Sequence, residues 1–151
     1  MDAHMRIELL EAVSKFKKFH SSIPTPEDVS HGEFFMLKII EKCRKQKERS
    51  VEQGVKISDL SAGVHMSKPG VSQMLNSLEN KKLIRRVMAE DDRRVTYVVI
   101  TELGYEMMEK ASQLFQSYTD QILKQFGEEN TKKLIELLNR LYEITQGMNK
   151  E

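Results

Sequence analysis

The sequence predicts a mainly α-helical chain carrying one small β-hairpin, and three observations predict it. Apolar residues recur at three- and four-residue spacing through most of the chain. Two short apolar runs, Leu83 to Met88 and Val95 to Ile100, flank a tight acidic-then-basic cluster, Ala89-Glu90-Asp91-Asp92-Arg93-Arg94, which reads as the tip of a hairpin. A charged fraction of 31% with only 7% aromatic residues, and nine Met, points to a helix-rich soluble protein.

Each element follows from local chemistry. The first helix is expected from about Asp2 to His20, with Ile7, Leu10, Val13, Phe16 and Phe19 approximating one apolar stripe. Ser21-Ser22-Ile23-Pro24-Thr25-Pro26 breaks it, because proline fixes φ and lacks an N–H. Ser30 with Glu33 three residues on is a capping box for a second helix, which turns Phe34, Leu37, Ile40 or Ile39, and Cys43 inward. That helix runs into the basic stretch Lys42 to Arg49, closing near Gly54, which reads either as a DNA contact or, more simply, as a solvated helix end. Ser58 is expected to cap a short third helix holding Leu60 and ending at Gly63. Ser67 caps the fourth, with Pro69 acceptable in a first turn whose N–H groups are unpaired anyway. Val71, Met74, Leu75 and Leu78 face inward, leaving Lys68, Gly70, Ser72, Gln73 and Asn76 outside. After the hairpin, Thr101 caps a long fifth helix striped by Leu103, Met107, Ala111, Leu114, Tyr118 and Ile122. Phe126-Gly127 stops it, and Leu134, Leu137, Leu138, Leu141, Ile144 and Met148 stripe a sixth.

Composition bounds the function. A chain of 151 residues is long enough for one domain with its own core. No apolar run approaches the roughly 20 residues of a membrane span, and there is no signal peptide, so no membrane partner and a cytoplasmic location are expected. The single Cys43 excludes an intrachain disulfide and fits a reducing compartment. His4, His20, His31 and His65 lack ligand spacing, and no phosphate-binding glycine loop or nucleophile–base set is present. No metal, no cofactor and no enzymatic activity are therefore expected.

Net charge is only +1, but its distribution is uneven. Residues 1–37 carry 4 basic and 6 acidic side chains (−2), residues 38–100 carry 14 and 8 (+6), and residues 101–151 carry 6 and 9 (−3). A basic middle between acidic ends suggests one surface built for phosphate and two flanks with another task. The third and fourth helices have the length and turn of a helix-turn-helix, whose second helix lies in the major groove. Gln73 and Asn76 lead the candidates for base contact, followed by Ser72 and Lys68, with Gly70 on the same outer face. Ser67 is placed both to cap and to meet phosphate at the helix N-terminus. At the hairpin tip, Arg93 and Arg94 lie beside Asp91 and Asp92. An arginine held by a carboxylate is pre-aimed, and a narrow minor groove attracts it. Lys81, Lys82, Arg85 and Arg86 near the hairpin base favour backbone phosphates. The fold read from these features is a winged helix-turn-helix lobe, about residues 30–100, flanked by dimerisation helices at about 1–20 and 102–150 of a single 1–151 domain. The flanking stripes need a partner, and the same surface on a second copy supplies one.

In combination these features resemble the MarR family of transcription regulators. The order is helix, helix, helix-turn-helix, wing with Asp92-Arg93-Arg94, then Thr101-x-x-Gly104 opening a long helix. Leu60, Ser67, Val71, Leu78, Leu83-Ile84-Arg85-Arg86, Asp92-x-Arg94 and the Thr101 cap fall in place together, and the resemblance spans nearly the whole chain. It implies a triangular homodimer on double-stranded DNA, usually repressing from a palindromic operator. It also implies that the fourth helix enters the major groove and that Arg94, oriented by Asp92, enters the minor groove. The chain departs from the family pattern at Gln73, where an arginine is common, and at Lys82, where glycine usually precedes the Leu-Ile pair. The resemblance further implies release by an effector bound between dimer helices and DNA lobe, often a small aromatic or anionic compound. Tyr97, Tyr105, Tyr118 and Tyr142 are candidates for lining that pocket or for the edge of the core, and Cys43 reads as a packing residue. The competing class is a winged helix that binds protein rather than DNA. Such an adaptor has no need of arginines at the wing tip.

Overall fold

The computed structural model describes residues 2–64 and 66–148, so His65 and the outermost residues of the expected domain lie outside it. The chain forms two compact units, residues 1–114 and 115–151. In the first unit the order is α1 (Ala3–Ser22), α2 (His31–Gln46), β1 (Val55–Lys56), α3 (Ile57–Gly63), α4 (Lys68–Asn80), β2 (Ile84–Met88), β3 (Thr96–Ile100) and the first half of α5 (Glu102–Phe126). The second unit holds the rest of α5 and α6 (Glu128–Met148).

Most helix ends lie where side-chain caps put them. Asp2 accepts from the His4 N–H and caps α1. Ser30 and Glu33 form the reciprocal capping box of α2. Ser67 accepts from the Gly70 N–H at 3.2 Å, and Thr101 Oγ1 from the Gly104 N–H at 3.0 Å. Gly127, at φ +89, ends α5 in the left-handed region. The third helix departs from expectation. It starts one residue earlier, with Lys56 at the cap position and no side-chain cap bond, and Ser58 lies inside it. Its entry is set by β1, a strand that the sequence reading omitted.

β1 pairs antiparallel with β3 (Val55 opposite Val98), and β3 pairs with β2 (Ile84 opposite Ile100, Met88 opposite Thr96), giving the order β1-β3-β2. Two residues are too few for any periodicity to show. The strand forms because Gly54, at φ +62, turns the backbone against β3, where a Cβ would lie 2.1 Å from the Val98 carbonyl oxygen.

The core of this lobe joins Phe34, Met36, Leu37 and Ile40 of α2 to Leu60 of α3, to Val71, Leu75 and Leu78 of α4, and to Val55, Ile84 and Val98 of the sheet. On α2 it is Ile40 that is buried, with Ile39 and Cys43 half-buried. The wing base is locked to α5 by three bonds. Thr101 N donates to the Leu83 carbonyl (3.0 Å), Thr101 Oγ1 to the Lys82 carbonyl (2.7 Å), and Gly104 N back to Oγ1. A Cβ on Gly104 would sit 2.0 Å from the Leu83 oxygen, which is why glycine stands there.

Candidate nucleic-acid interface

α4 presents the surface its spacing predicts. Val71, Leu75 and Leu78 are buried, Met74 is half-buried, and Lys68, Ser72, Gln73 and Asn76 are exposed. Ser67 is exposed and keeps its O–H free to donate after capping, whereas the Gly70 N–H is taken by that cap. Gly70 thus makes room for the cap (a Cβ there would meet Ser67 Oγ at 3.1 Å), and its backbone donor is not free for phosphate.

The tilt of α4 is held by a buried carboxylate. Glu33 of α2 accepts from Ser77 Oγ (2.6 Å) and Lys81 Nζ (2.8 Å), while Lys81 also donates to the Asp28 carbonyl. Burial opposes ionisation of Glu33, but the bonds from Lys81, Ser77 and the Ser30 N–H outweigh it and hold its pKa below the ordinary carboxylate value. Lys81, expected to meet phosphate, is therefore an internal tie. Lys82 ends α4 at φ +61 in a Schellman arrangement, with Leu83 N bonded to the Leu78 carbonyl and Lys82 N to that of Glu79. This is the position where the resemblance called for glycine, and the left-handed backbone there favours one.

On the wing, Ala89 N bonds the Val95 carbonyl and Val95 N the Asp92 carbonyl, closing the tip. Asp92 accepts from the Arg94 backbone N–H (3.0 Å), from Nε (3.1 Å) and from Nη2 (3.3 Å). Those bonds lower the Asp92 pKa, so the carboxylate stays charged and the guanidinium stays aimed. The Arg94 side chain is 90% exposed, and Arg93 beside it is also exposed. Arg86 does not join them. Its guanidinium bonds Glu79 and, at 2.9 Å, Asn76 Oδ1. The ion pair with Glu79 draws it toward α4 rather than toward the tip.

Between α3, α4 and the wing opens a cleft of about 630 Å³ that brings Lys56, Lys68 and Arg94 together with Ser58, Ser61 and Thr96. Lys56, Ser58 and Ser61 were not foreseen as site residues. Lys56 lies on the two-residue strand, and Ser58 had been assigned to capping. Three cations around serine hydroxyls are suited to a phosphodiester backbone.

Two arginines of the basic stretch, Arg44 and Arg49, fold inward, while Lys42, Lys45 and Lys47 stay exposed. Arg44 donates to both Glu41 oxygens (2.6 and 2.8 Å) and to the Arg49 carbonyl, and Tyr105 of α5 donates to Glu41 at 2.8 Å. The bond from Arg44, aided by that of Tyr105, overcomes burial and pulls Glu41 down to about 2. Burial and the neighbouring Glu41 push the Tyr105 phenol up to about 12. Arg49 bonds the Gly54 carbonyl and stacks over Tyr97 of β3, 4.6 Å from the ring centre. Arg44 and Arg49 are thus structural, not a solvated helix end, and Tyr97 and Tyr105 are committed to them. Cys43 is half-buried, and burial followed by the Asp59 charge raises its pKa against the pull of Lys47, which disfavours the reactive thiolate. A second cleft of about 550 Å³ lies among Glu27, Asp28, Lys81, Leu83, Leu103, Met107 and Lys110.

The family model described as MarR family matches residues 49–95, the span from the turn before β1 to the wing tip. That span, the helix-turn-helix and most of the wing, is similar to MarR-family proteins. The HTH-type transcriptional regulator YdgJ of Bacillus subtilis is 29% identical over 84 residues, which cover 56% of this chain and 51% of that protein. The match thus spans about half the length of that relative. Two solved structures share the fold. FabT of Streptococcus pneumoniae, in complex with DNA, has a TM-score of 0.66 at 21% identity, over 97% of this chain and 99% of that one. BpsR of Bordetella bronchiseptica, whose DNA binding is regulated by 6-hydroxynicotinic acid, has a TM-score of 0.71 at 14% identity, over 89% and 98%. Relatives that the chain matches in sequence are named as transcription regulators. Among the described residues no helix is long and apolar enough to cross a membrane.

Proposed function

We propose that this chain is a sequence-specific, DNA-binding transcription regulator that acts as a homodimer, represses from a palindromic operator and is released by a small aromatic or anionic effector. The observation that carries the reading is the pairing of an exposed polar face on α4 with an exposed Arg94 aimed by Asp92, on either side of a cation-lined cleft. In this reading Ser72, Gln73 and Asn76 meet base edges in the major groove, and Arg94, with Arg93 beside it, reaches the minor groove. Ser67, Lys68 and Lys56 hold backbone phosphate. Two-fold assembly is supported by uncovered apolar side chains, Ile7, Leu10, Val13 and Phe16 on α1 and Leu137, Leu138, Leu141 and Ile144 on α6. The cleft among Leu83, Leu103, Met107 and Lys110, with Glu27 and Asp28 at its rim, is the candidate place for that effector, its apolar part suiting an aromatic ring.

Enrichment of bound sequences from a randomised duplex pool tests the reading. The expected result is a two-fold symmetric site with half-sites about 10 bp apart, one helical turn. Recovery of no motif, with only weak salt-sensitive binding, overturns it in favour of a protein-binding adaptor. Light scattering that finds a monomer at micromolar concentration overturns the homodimer.

A further inference from the structure

One pair of side chains bridges the recognition helix and the wing. Arg86 of β2 extends its guanidinium to α4, where Nη1 donates to Glu79 Oε2 and Nη2 donates to Asn76 Oδ1 at 2.9 Å. A guanidinium carries donors only. The amide oxygen of Asn76 must therefore face it, since the reverse orientation would set N–H against N–H. Glu79 holds the guanidinium from the other side, so the group that orients the amide is itself fixed. Arg86 is only 25% exposed in its side chain, while Asn76 is exposed on the outer face, one turn beyond Ser72.

An unconstrained asparagine reads adenine with both halves of its amide, donating to N7 and accepting from N6. Here the oxygen is turned back toward the wing, and what remains outward is the NH2 group. We infer that Asn76 reads the major groove as a donor only, selecting guanine, whose N7 and O6 are both acceptors, and that Arg86 is the positioning residue that sets this polarity. The inference rests on the DNA-binding reading above. It explains why the basic residue at the wing base is neutralised by a carboxylate rather than left for phosphate. It also makes the base preference of the recognition helix depend on a residue in the wing.

The test is enrichment from a randomised duplex pool with wild type, Asn76→Ala, Asn76→Asp and Arg86→Met, each first shown by thermal unfolding to be folded. Asn76→Ala locates the contact by flattening one position in each half-site. At that position wild type is expected to prefer guanine by about tenfold over adenine. Asn76→Asp turns the outward group into an acceptor and should move the preference to cytosine, whose N4 amino group donates. Arg86→Met keeps the apolar stem but frees the oxygen, so adenine should rise at least to parity with guanine. A wild-type preference for adenine there, no position responding to Asn76→Ala, or an Arg86→Met protein that keeps the wild-type guanine preference each overturns the inference. If Arg86→Met does not fold, Asn76→Asp decides it, and an unchanged preference in that variant overturns it. A wild-type pool that yields no motif sinks the DNA-binding reading itself and this inference with it.

Discussion

Two arginine–carboxylate pairs in this lobe use the same chemistry to opposite ends. Arg44 and Glu41, with side chains 16% and 13% exposed, sit beneath the wing and are further bonded by Tyr105 and the Arg49 carbonyl. Arg94 and Asp92 sit on its tip, with the arginine 90% exposed. The first pair has little water to compete with, so it fixes backbone around it. The second is solvated and contributes little to stability, but it restricts where a free guanidinium points. Burial, not residue type, decides whether such a pair is a brace or a reading head.

The largest effect should come from breaking the buried pair. Glu41→Ala leaves Arg44 and Tyr105 without their acceptor and is expected to cost about 3 kcal/mol in urea unfolding. Asp92→Ala should leave the unfolding midpoint unchanged while weakening DNA binding. Equal stability losses in the two variants would erase the contrast.

Acid separates the pairs next. The folded pKa of Glu41 is depressed from 4.5 to about 2, so its contribution is complete above about pH 4.5 and is lost as pH falls toward 2. That loss is on the order of 2–3 kcal/mol, and a Glu41→Gln protein should show a correspondingly flatter stability profile between those pH values. If the Gln variant unfolds in acid as wild type does, Glu33 or another carboxylate governs the transition.

Arg94→Ala should lower affinity for an enriched duplex by ten- to a hundredfold, about 1–3 kcal/mol, as read by fluorescence anisotropy, with no shift in Tm. Unchanged affinity would remove the wing from the reading mechanism.

The smallest effect concerns the helix end between the two regions. Lys82 holds φ +61, and its side chain is exposed. Lys82→Gly removes the left-handed strain and should stabilise the lobe by about 0.5–1 kcal/mol in thermal unfolding. Destabilisation would mean that the lysine stem packs on the wing base.

Much of the lobe was legible before any coordinates. The capping box at Ser30 and Glu33, the caps at Ser67 and Thr101, the stop at Gly127, the inward set Val71, Leu75 and Leu78, and the Asp92–Arg94 pair all act over four residues or fewer. Such chemistry is written in consecutive residues. The exposed face of α4 follows from the same periodicity, because burying one stripe leaves the other outside.

Other features needed the chain to close on itself. β1 exists only because β3 offers it a partner more than forty residues away. Lys81 reaches Glu33 across 48 positions, and Tyr105 reaches Glu41 across 64. Ten positions separate Arg86 from the Asn76 amide that it turns. From sequence each of these cations looked equally ready for phosphate, because charge is visible in a sequence and its partner is not. Local hydrogen bonding and hydrophobic period thus determined the helices, the wing and the reading face. Only tertiary packing decided which charges stay free, since a buried or facing carboxylate claims a cation wherever the fold brings the two together.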